Sequence, residues 1–231
     1  IAHNVKDLVK IYAYDLPKII VFHNKLTTEI GLGNNNINRA DYLNTINPLL
    51  IDVKKVFISE GKRLDWAMGG DIILPGLDVD CYGGYIGNKR TILRVGNLLE
   101  ERDLMMGYSC GEAIISSLPS AILGINPNIK ESRISLGFED LIFHYRSQRL
   151  FLNTTVEKYE DGYNLALLEA MAIGMPVIST ENKTSPIKNG VNGFISKDLN
   201  YLNQCAVKLL NDTKLAKSIG ENARETIKNK F

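Results

Sequence analysis

One stretch, Glu160 to Thr180, limits what this chain can fold into more than any other. It reads E-D-G-Y-N-L-A-L-L-E-A-M-A-I-G-M-P-V-I-S-T. Asp161 and Gly162 have the character of a tight loop. From Asn164 onward the apolar residues Leu165, Leu168, Met171 and Ala172 recur at helical spacing. Gly174 is a helix stop, and Pro176 just beyond it bars continuation. Met175 to Ser179 then has the composition of a short buried strand.

A glycine turn opening into a helix has a chemical consequence. The backbone N–H groups of Gly162, Tyr163, Asn164 and Leu165 are predicted to stand at the helix start without intrahelical acceptors. Such an end suits an anion. Asp161 precedes it, and Glu169 lies between one and two turns inside the helix. The two carboxylates flank the anion position and offer acceptors for hydroxyl groups. A phosphate on the amides with hydroxyls on either side describes a nucleotide sugar.

These residues resemble the donor-binding motif of retaining GT-B glycosyltransferases of the large family 4 type, the glycosyl transferases group 1. That family carries two glutamates separated by seven residues, then A-M-A-x-G-x-P-V-I. Here Asp161 takes the place of the first glutamate and Glu169 is the second, with A-M-A-I-G-M-P-V-I after it. Aspartate is one methylene shorter and keeps the carboxylate. An amphipathic helix after a turn, with Glu169 merely solvated, is the plainer alternative.

Before this motif the chain alternates strand and helix. Residues 1–4 are predicted to end a strand, Val5 to Asp15 to form a helix broken by Pro17, and Lys18 to Phe22 to form a buried strand. His23 comes next, at the strand's C-terminal edge, where open α/β sheets bind ligands. The resemblance implies a catalytic role for His23, oriented toward the donor sugar. His3 ends the earlier strand without an implied role, and His144, in an aromatic segment, is expected to be structural. Thr27 to Asn38, rich in Gly and Asn, is expected to be a mobile loop: a wall of an acceptor pocket or a plain surface loop. Arg39 to Leu50 is predicted helical until Pro48. Val53 to Ser59 and Asp71 to Leu74 are predicted strands, with a helix from Glu60 to Met68 between them.

P-G-L-D-V-D-C-Y resembles the family's interdomain linker. The expected organisation is a partial N-terminal Rossmann-like domain over 1–80, a linker over 81–90, and a C-terminal nucleotide-sugar-binding domain over 91–231. Thr91 to Val95 opens that domain as a strand and leads into G-N-L-L-E-E-R. The family has Gly-Arg, four residues and a Lys here, two cations for the donor diphosphate. Gly96 fits. Asn97 stands where the arginine is expected, and Arg102 where the lysine is expected. Arg102 keeps the charge and can bind phosphate in a bidentate way. Asn97 does not, unless Arg94 compensates.

Further on, Asp103 to Leu118 is predicted helical, Ser120 to Ile125 and Arg133 to Phe138 are predicted strands, and Glu139 to Gln148 is a predicted helix. L-G-F ending at Phe138 resembles the segment bordering the nucleotide base. Arg149 to Asn153 is a predicted strand, and Val191 to Ile195 resembles the family's late hairpin. Leu199 to Leu210 and Lys214 to Lys228 are predicted amphipathic helices. The alternation predicts an α/β fold of GT-B type, a doubly wound parallel sheet with right-handed crossovers.

Composition excludes several other classes. Formal net charge is +1 over 231 residues with scattered Lys and Arg, which argues against nucleic acid as a partner. Cys81, Cys110 and Cys205 lack metal-type spacing and suit a reducing cytoplasm. No apolar run reaches the ~20 residues of a membrane span, so a peripheral membrane contact is the remaining membrane option.

The resemblance implies transfer of a sugar from a nucleotide-sugar donor to a hydroxyl acceptor on a sugar or lipid-linked molecule, with anomeric retention, no metal and no cofactor besides the donor substrate. GT-B domains of about 150–200 residues would leave the first half of the N-terminal domain outside this chain or on a partner. A non-catalytic nucleotide-sugar-binding subunit, a GT-B epimerase and an unrelated α/β protein are the other readings of the same residues.

Overall fold

A computed structural model of the chain describes residues 1–33 and 37–231. Asn34 to Asn36, inside the predicted loop over Thr27 to Asn38, lie outside the described residues. The chain forms two compact units, residues 1–75 with 158–160 and residues 76–157 with 161–231.

The first unit is a four-stranded parallel sheet in the order β1-β2-β3-β4, with β1 at Ala2–His3, β2 at Lys18–Phe22, β3 at Val53–Phe57 and β4 at Asp71–Ile72. Its helices are α1 (Asn4–Ile11), α2 (Leu26–Leu32), α3 (Arg39–Ile46) and α4 (Glu60–Trp66). Phe22 stacks on Phe57 with ring centroids 4.8 Å apart and meets Trp66 at 4.5 Å. The Trp66 indole N–H donates to the Asn24 carbonyl at 2.9 Å, which satisfies the one polar atom of that ring.

Two expectations need correction here. The first helix ends at Ile11 and not at Asp15, because the chain must leave helical geometry ahead of Pro17. The predicted loop begins as α2, whose Thr27 uses both its N–H and its hydroxyl on the Asp65 carboxylate at 2.9 and 2.8 Å.

The second unit is a six-stranded parallel sheet in the order β10-β9-β8-β5-β6-β7. Its strands are β5 (Lys89–Val95), β6 (Ser120–Leu123), β7 (Ser132–Arg133), β8 (Gln148–Asn153), β9 (Val177–Thr180) and β10 (Phe194–Ser196). The helices are α5 (Asp103–Met106), α6 (Tyr108–Ile115), α7 (Phe138–Ser147), α8 (Leu165–Ile173), α9 (Leu199–Asn211) and α10 (Thr213–Lys230). The chain winds from β5 outward to β6 and β7, then returns past β5 to β8 on the other side. The switch point therefore lies between β5 and β8, at their C-terminal ends. Two parallel sheets flanked by helices make the double Rossmann-like arrangement that the alternation predicts.

Local chemistry explains where the second unit departs from expectation. The predicted helix from Asp103 to Leu118 is two helices. Gly107 between them has φ +62°, and a Cβ there would sit 2.1 Å from the Thr154 carbonyl oxygen. The predicted strand from Arg133 to Phe138 pairs only at Ser132–Arg133, because the Asp140 carboxylate accepts the Leu136 N–H at 3.0 Å and turns the chain into α7. The predicted hairpin over Val191 to Ile195 is a tight turn, closed by Gly190 N–H donating to Gly193 O at 2.8 Å. It leads into β10, which pairs parallel with β9.

Candidate donor site

The second unit gathers its candidate site at the switch point. Arg94 and Val95 end β5, Asn153 ends β8, and Asn164 stands beside them, lining one small crevice with Thr154. Asn164 is the N-cap of α8. Its side-chain oxygen accepts the Leu167 N–H at 2.8 Å, and its amide donates to Asn153 Oδ1 at 3.0 Å. The cap thus fixes the helix end against the strand end.

The helix start is shifted from expectation. The first helical residue is Leu165, and the Gly162 N–H is not free, because it donates to Thr184 Oγ1 at 2.6 Å. With Leu167 capped, the first-turn donors open to a ligand are Leu165 and Ala166. Asp161 is only 1% exposed, and its carbonyl accepts from Thr155 Oγ1 at 3.1 Å. Leu165 is exposed, and Tyr163 lies edge-on to Phe231 at 5.4 Å between ring centroids.

Glu169 is 9% exposed and faces two tyrosines. Tyr145 O–H lies 3.1 Å from both Glu169 Oε2 and the Ala166 carbonyl, and Tyr82 O–H lies 3.4 Å from Glu169 Oε1. Burial pushes the Glu169 carboxyl up from its ordinary 4.5, and the two hydroxyls oppose that shift in part. Burial and the Glu169 charge push the Tyr82 hydroxyl up to about 12, and the Tyr145 hydroxyl well above its usual value, so both stay protonated as donors.

The loop after β5 gives Asn97 a structural role. Its Oδ1 accepts the Ile125 N–H at 2.8 Å, tying the loop after Gly96 to the end of β6. Arg94 does not compensate for the missing arginine: it is buried, with Nη1 on Glu112 Oε1 at 2.5 Å and the guanidinium over the Tyr108 ring. Arg102 precedes α5, half-buried, with Nη2 on Met105 Sδ at 3.1 Å. Phe138 opens α7, half-exposed, 5.8 Å from Tyr82 in an edge-to-face contact. Among the described residues no group of three or more His, Cys, Asp or Glu is placed to hold a metal ion, and no helix is long and apolar enough to cross a membrane.

In the first unit, parallel pairing of β1 with β2 sets His3 beside Val21, so His3 and His23 share one sheet edge. His3 Nδ1 and His23 Nε2 are 2.8 Å apart, and the His23 N–H donates to Asn4 Oδ1 at 2.7 Å. Burial, then the charges of His3 and Lys62, lower the His23 pKa from 6.5 and favour the neutral ring. His144 is buried in α7 against Phe143, 3.7 Å from Asp140.

Residues 107–212 match the family described as glycosyl transferases group 1. The capsular polysaccharide biosynthesis glycosyltransferase CapM of Staphylococcus aureus is 29% identical over 164 residues, which are 64% of this chain and 41% of that protein. The N-acetyl-alpha-D-glucosaminyl L-malate synthase of Bacillus anthracis is 31% identical over 110 residues, 46% of this chain and 28% of that protein. Over residues 107–212 the chain is therefore similar to the glycosyl transferases group 1.

Solved structures agree on the fold. Anabaena Alr3699/HepE in complex with UDP-glucose has a TM-score of 0.70 at 15% identity, covering 97% of this chain and 71% of that one. TarM has a TM-score of 0.69 at 16% identity, covering 99% of this chain and 51% of that one. The chain spans less than half the length of the two sequence relatives above.

Sequence reasoning missed Tyr82 and Tyr145, which hold Glu169, and Thr184, which holds Gly162. Tyr82 and Tyr145 lie far from the motif in sequence, Thr184 lies just past its end, and none of the three carries a local signal. Asn153 had one: a polar residue closing the apolar run R-L-F-L-N.

The tyrosine pair leads to a pH-dependent prediction. The Glu169 pKa is raised on folding, so the stability gained from its neutral form is present below about 4.5 and is lost as pH rises through the folded value. Glu169→Gln should therefore melt at a higher temperature than the parent near pH 7. The gap should close as pH falls toward 4.5. Melting curves across that range check it, and a gap independent of pH would mean that Glu169 carries no burial cost.

Proposed function

We propose that the second unit is the donor-binding half of a glycosyltransferase that moves a sugar from a nucleotide-sugar donor to an acceptor hydroxyl with retention and without a metal. The observation that supports this most is Glu169, a buried carboxylate placed on α8 beside the switch point and held by two hydroxyl donors. A carboxylate kept buried against its desolvation cost is a candidate functional group.

In this reading the Glu169 oxygens accept hydrogen bonds from the ribose. Leu165 N–H and Ala166 N–H, with the Arg102 guanidinium, bind the diphosphate and stabilise its charge as it leaves. Asp161 accepts from hydroxyls of the donor sugar. The Phe138 ring borders the base. UDP and UDP-glucose occupy Anabaena Alr3699/HepE, which makes uridine nucleotides the first to try.

Glu169→Ala tests the assignment. The variant is expected to lose about 1–3 kcal/mol of UDP affinity by calorimetric titration, the worth of hydrogen bonds to a charged acceptor. Its far-ultraviolet circular dichroism should match the parent's. Unchanged affinity would remove Glu169 from the site.

One observation favours a second reading, a nucleotide-sugar-binding subunit that does not catalyse transfer. Asn97 and Arg94 are both committed to protein partners, so only Arg102 of the expected cation pair is left for the leaving diphosphate. Release of UDP from UDP-glucose in the presence of the chain separates the two readings.

A further inference from the structure

A cavity of about 280 Å³ lies where β5 and β8 begin, at the opposite end of these strands from the donor loop. It is lined by Tyr85, Gly87, Arg149, Thr213, Lys214 and Lys217, among others. Arg149 is the second residue of β8, a strand whose residues are all buried, and it is itself only 7% exposed. Its Nε donates to the Gly87 carbonyl at 2.6 Å and its Nη1 to the Leu210 carbonyl at 2.9 Å. Both acceptors are neutral. Among the described residues Nη2 has no protein acceptor, yet it is not sealed from solvent.

The charges around the cavity have one sign. Among the described residues no carboxylate lies within 4.0 Å of the Arg149 or Lys214 side chains, and Lys217 meets Glu221 only at 4.0 Å with both exposed. Asp212, the nearest acid in sequence, uses Oδ1 to accept the Leu215 N–H at 2.9 Å. That cap leaves the Thr213 and Lys214 amides of α10 as open first-turn donors on the cavity wall. A buried guanidinium is costly unless it is paired, and the two carbonyls satisfy its hydrogen bonds without neutralising it.

We propose that this cavity is an anion site that takes a phosphate group, separate from the donor site. The Arg149 Nη2 donates to one phosphate oxygen, the Lys214 and Lys217 ammonium groups lie over the others, and the Thr213 hydroxyl and first-turn amides of α10 complete the cradle. The volume is at the lower end of small-molecule pockets, which suits a phosphate and the start of its ester better than a nucleotide. Free phosphate and a phospholipid headgroup share this chemistry.

The test uses the full chain saturated with UDP, so that the donor site is filled. Inorganic phosphate is titrated against matched sodium chloride while backbone amide resonances are followed. Phosphate should shift Gly87, Thr213 and Lys214, and the paired substitution Lys214→Ala with Lys217→Ala should weaken its binding by about tenfold. This pair leaves Arg149 and its two carbonyl contacts in place, so the fold is kept. Co-sedimentation with phosphatidic acid vesicles but not phosphatidylcholine vesicles, lost in the paired variant, would support the site with a lipid as the source. The proposal is overturned if chloride reproduces the shifts, if the paired variant binds phosphate and vesicles as the parent does, or if neither probe binds.

Discussion

Gly220→Ala is expected to lower the stability of the chain by about 3 kcal/mol, the upper end of the cost of overpacking a core. The reason is the crossing of α10 over the C-terminal end of α8. A Cβ at position 220 would lie 1.8 Å from the Gly174 carbonyl oxygen, 2.8 Å from its carbon and 3.3 Å from Pro176 N. All three are backbone atoms and cannot rotate aside as a side chain would. Gly174 is pinned in turn, with φ +85°, its N–H closing the last turn of α8.

Relief therefore requires α10 to move away, which opens the layer where Ala223 and Ile227 belong to the same core as Ala172 and Ile173. Denaturant unfolding checks this, with the exposed Lys228→Ala as a control expected within about 0.5 kcal/mol of the parent. A Gly220→Ala midpoint equal to the control's would mean that the two helices cross more loosely than these distances imply.

Gly162→Ala is expected to weaken nucleotide binding by about 1.5–3 kcal/mol, roughly ten- to a hundredfold. An added Cβ would sit 2.6 Å from Ser185 N, 2.8 Å from Ser185 Cα and 2.8 Å from Asn182 Cβ. The loop cannot keep its place, and the Gly162 N–H must leave Thr184 Oγ1. Just downstream lies the capped start of α8, whose Leu165 and Ala166 amides are the proposed phosphate donors. A shift of the loop thus reaches the ligand through two residues of chain. Thr184→Val provides the milder comparison. It removes one hydrogen bond without the clash and should cost less than Gly162→Ala. Equal affinity for all three proteins would separate this loop from the donor site.

The alternation of strand and helix, the parallel sheets and the resemblance to the family were legible in the sequence because they rest on local signals. Leu165 to Met175 carries helical spacing and its own stop, and the A-M-A-I-G-M-P-V-I run is specific. What failed was set by contacts between distant residues. The break at Gly107 comes from the approach of Thr154, and the early end of the strand after Ser132 comes from the Asp140 carboxylate.

The site shows the same division. The cap at Asn164 was not read and the helix begins later than expected, whereas the place of Glu169 inside the helix was readable from spacing. The commitment of Gly162 to Thr184, of Asn97 to Ile125 and of Arg94 to Glu112 was not, since each partner comes from another loop or helix. The tyrosines on Glu169 arrive from 24 and 87 residues away and leave no trace near the motif.

The central claim is that the second unit binds a nucleotide sugar at the start of α8. The most direct measurement is a titration of the chain with UDP-, GDP- and ADP-sugars, monitored through backbone amide resonances. One nucleotide class should shift Leu165, Ala166 and the Arg102 loop saturably, and Glu169→Ala should weaken that response. Resonances unmoved by all three nucleotide classes, or moved equally in Glu169→Ala, would contradict it.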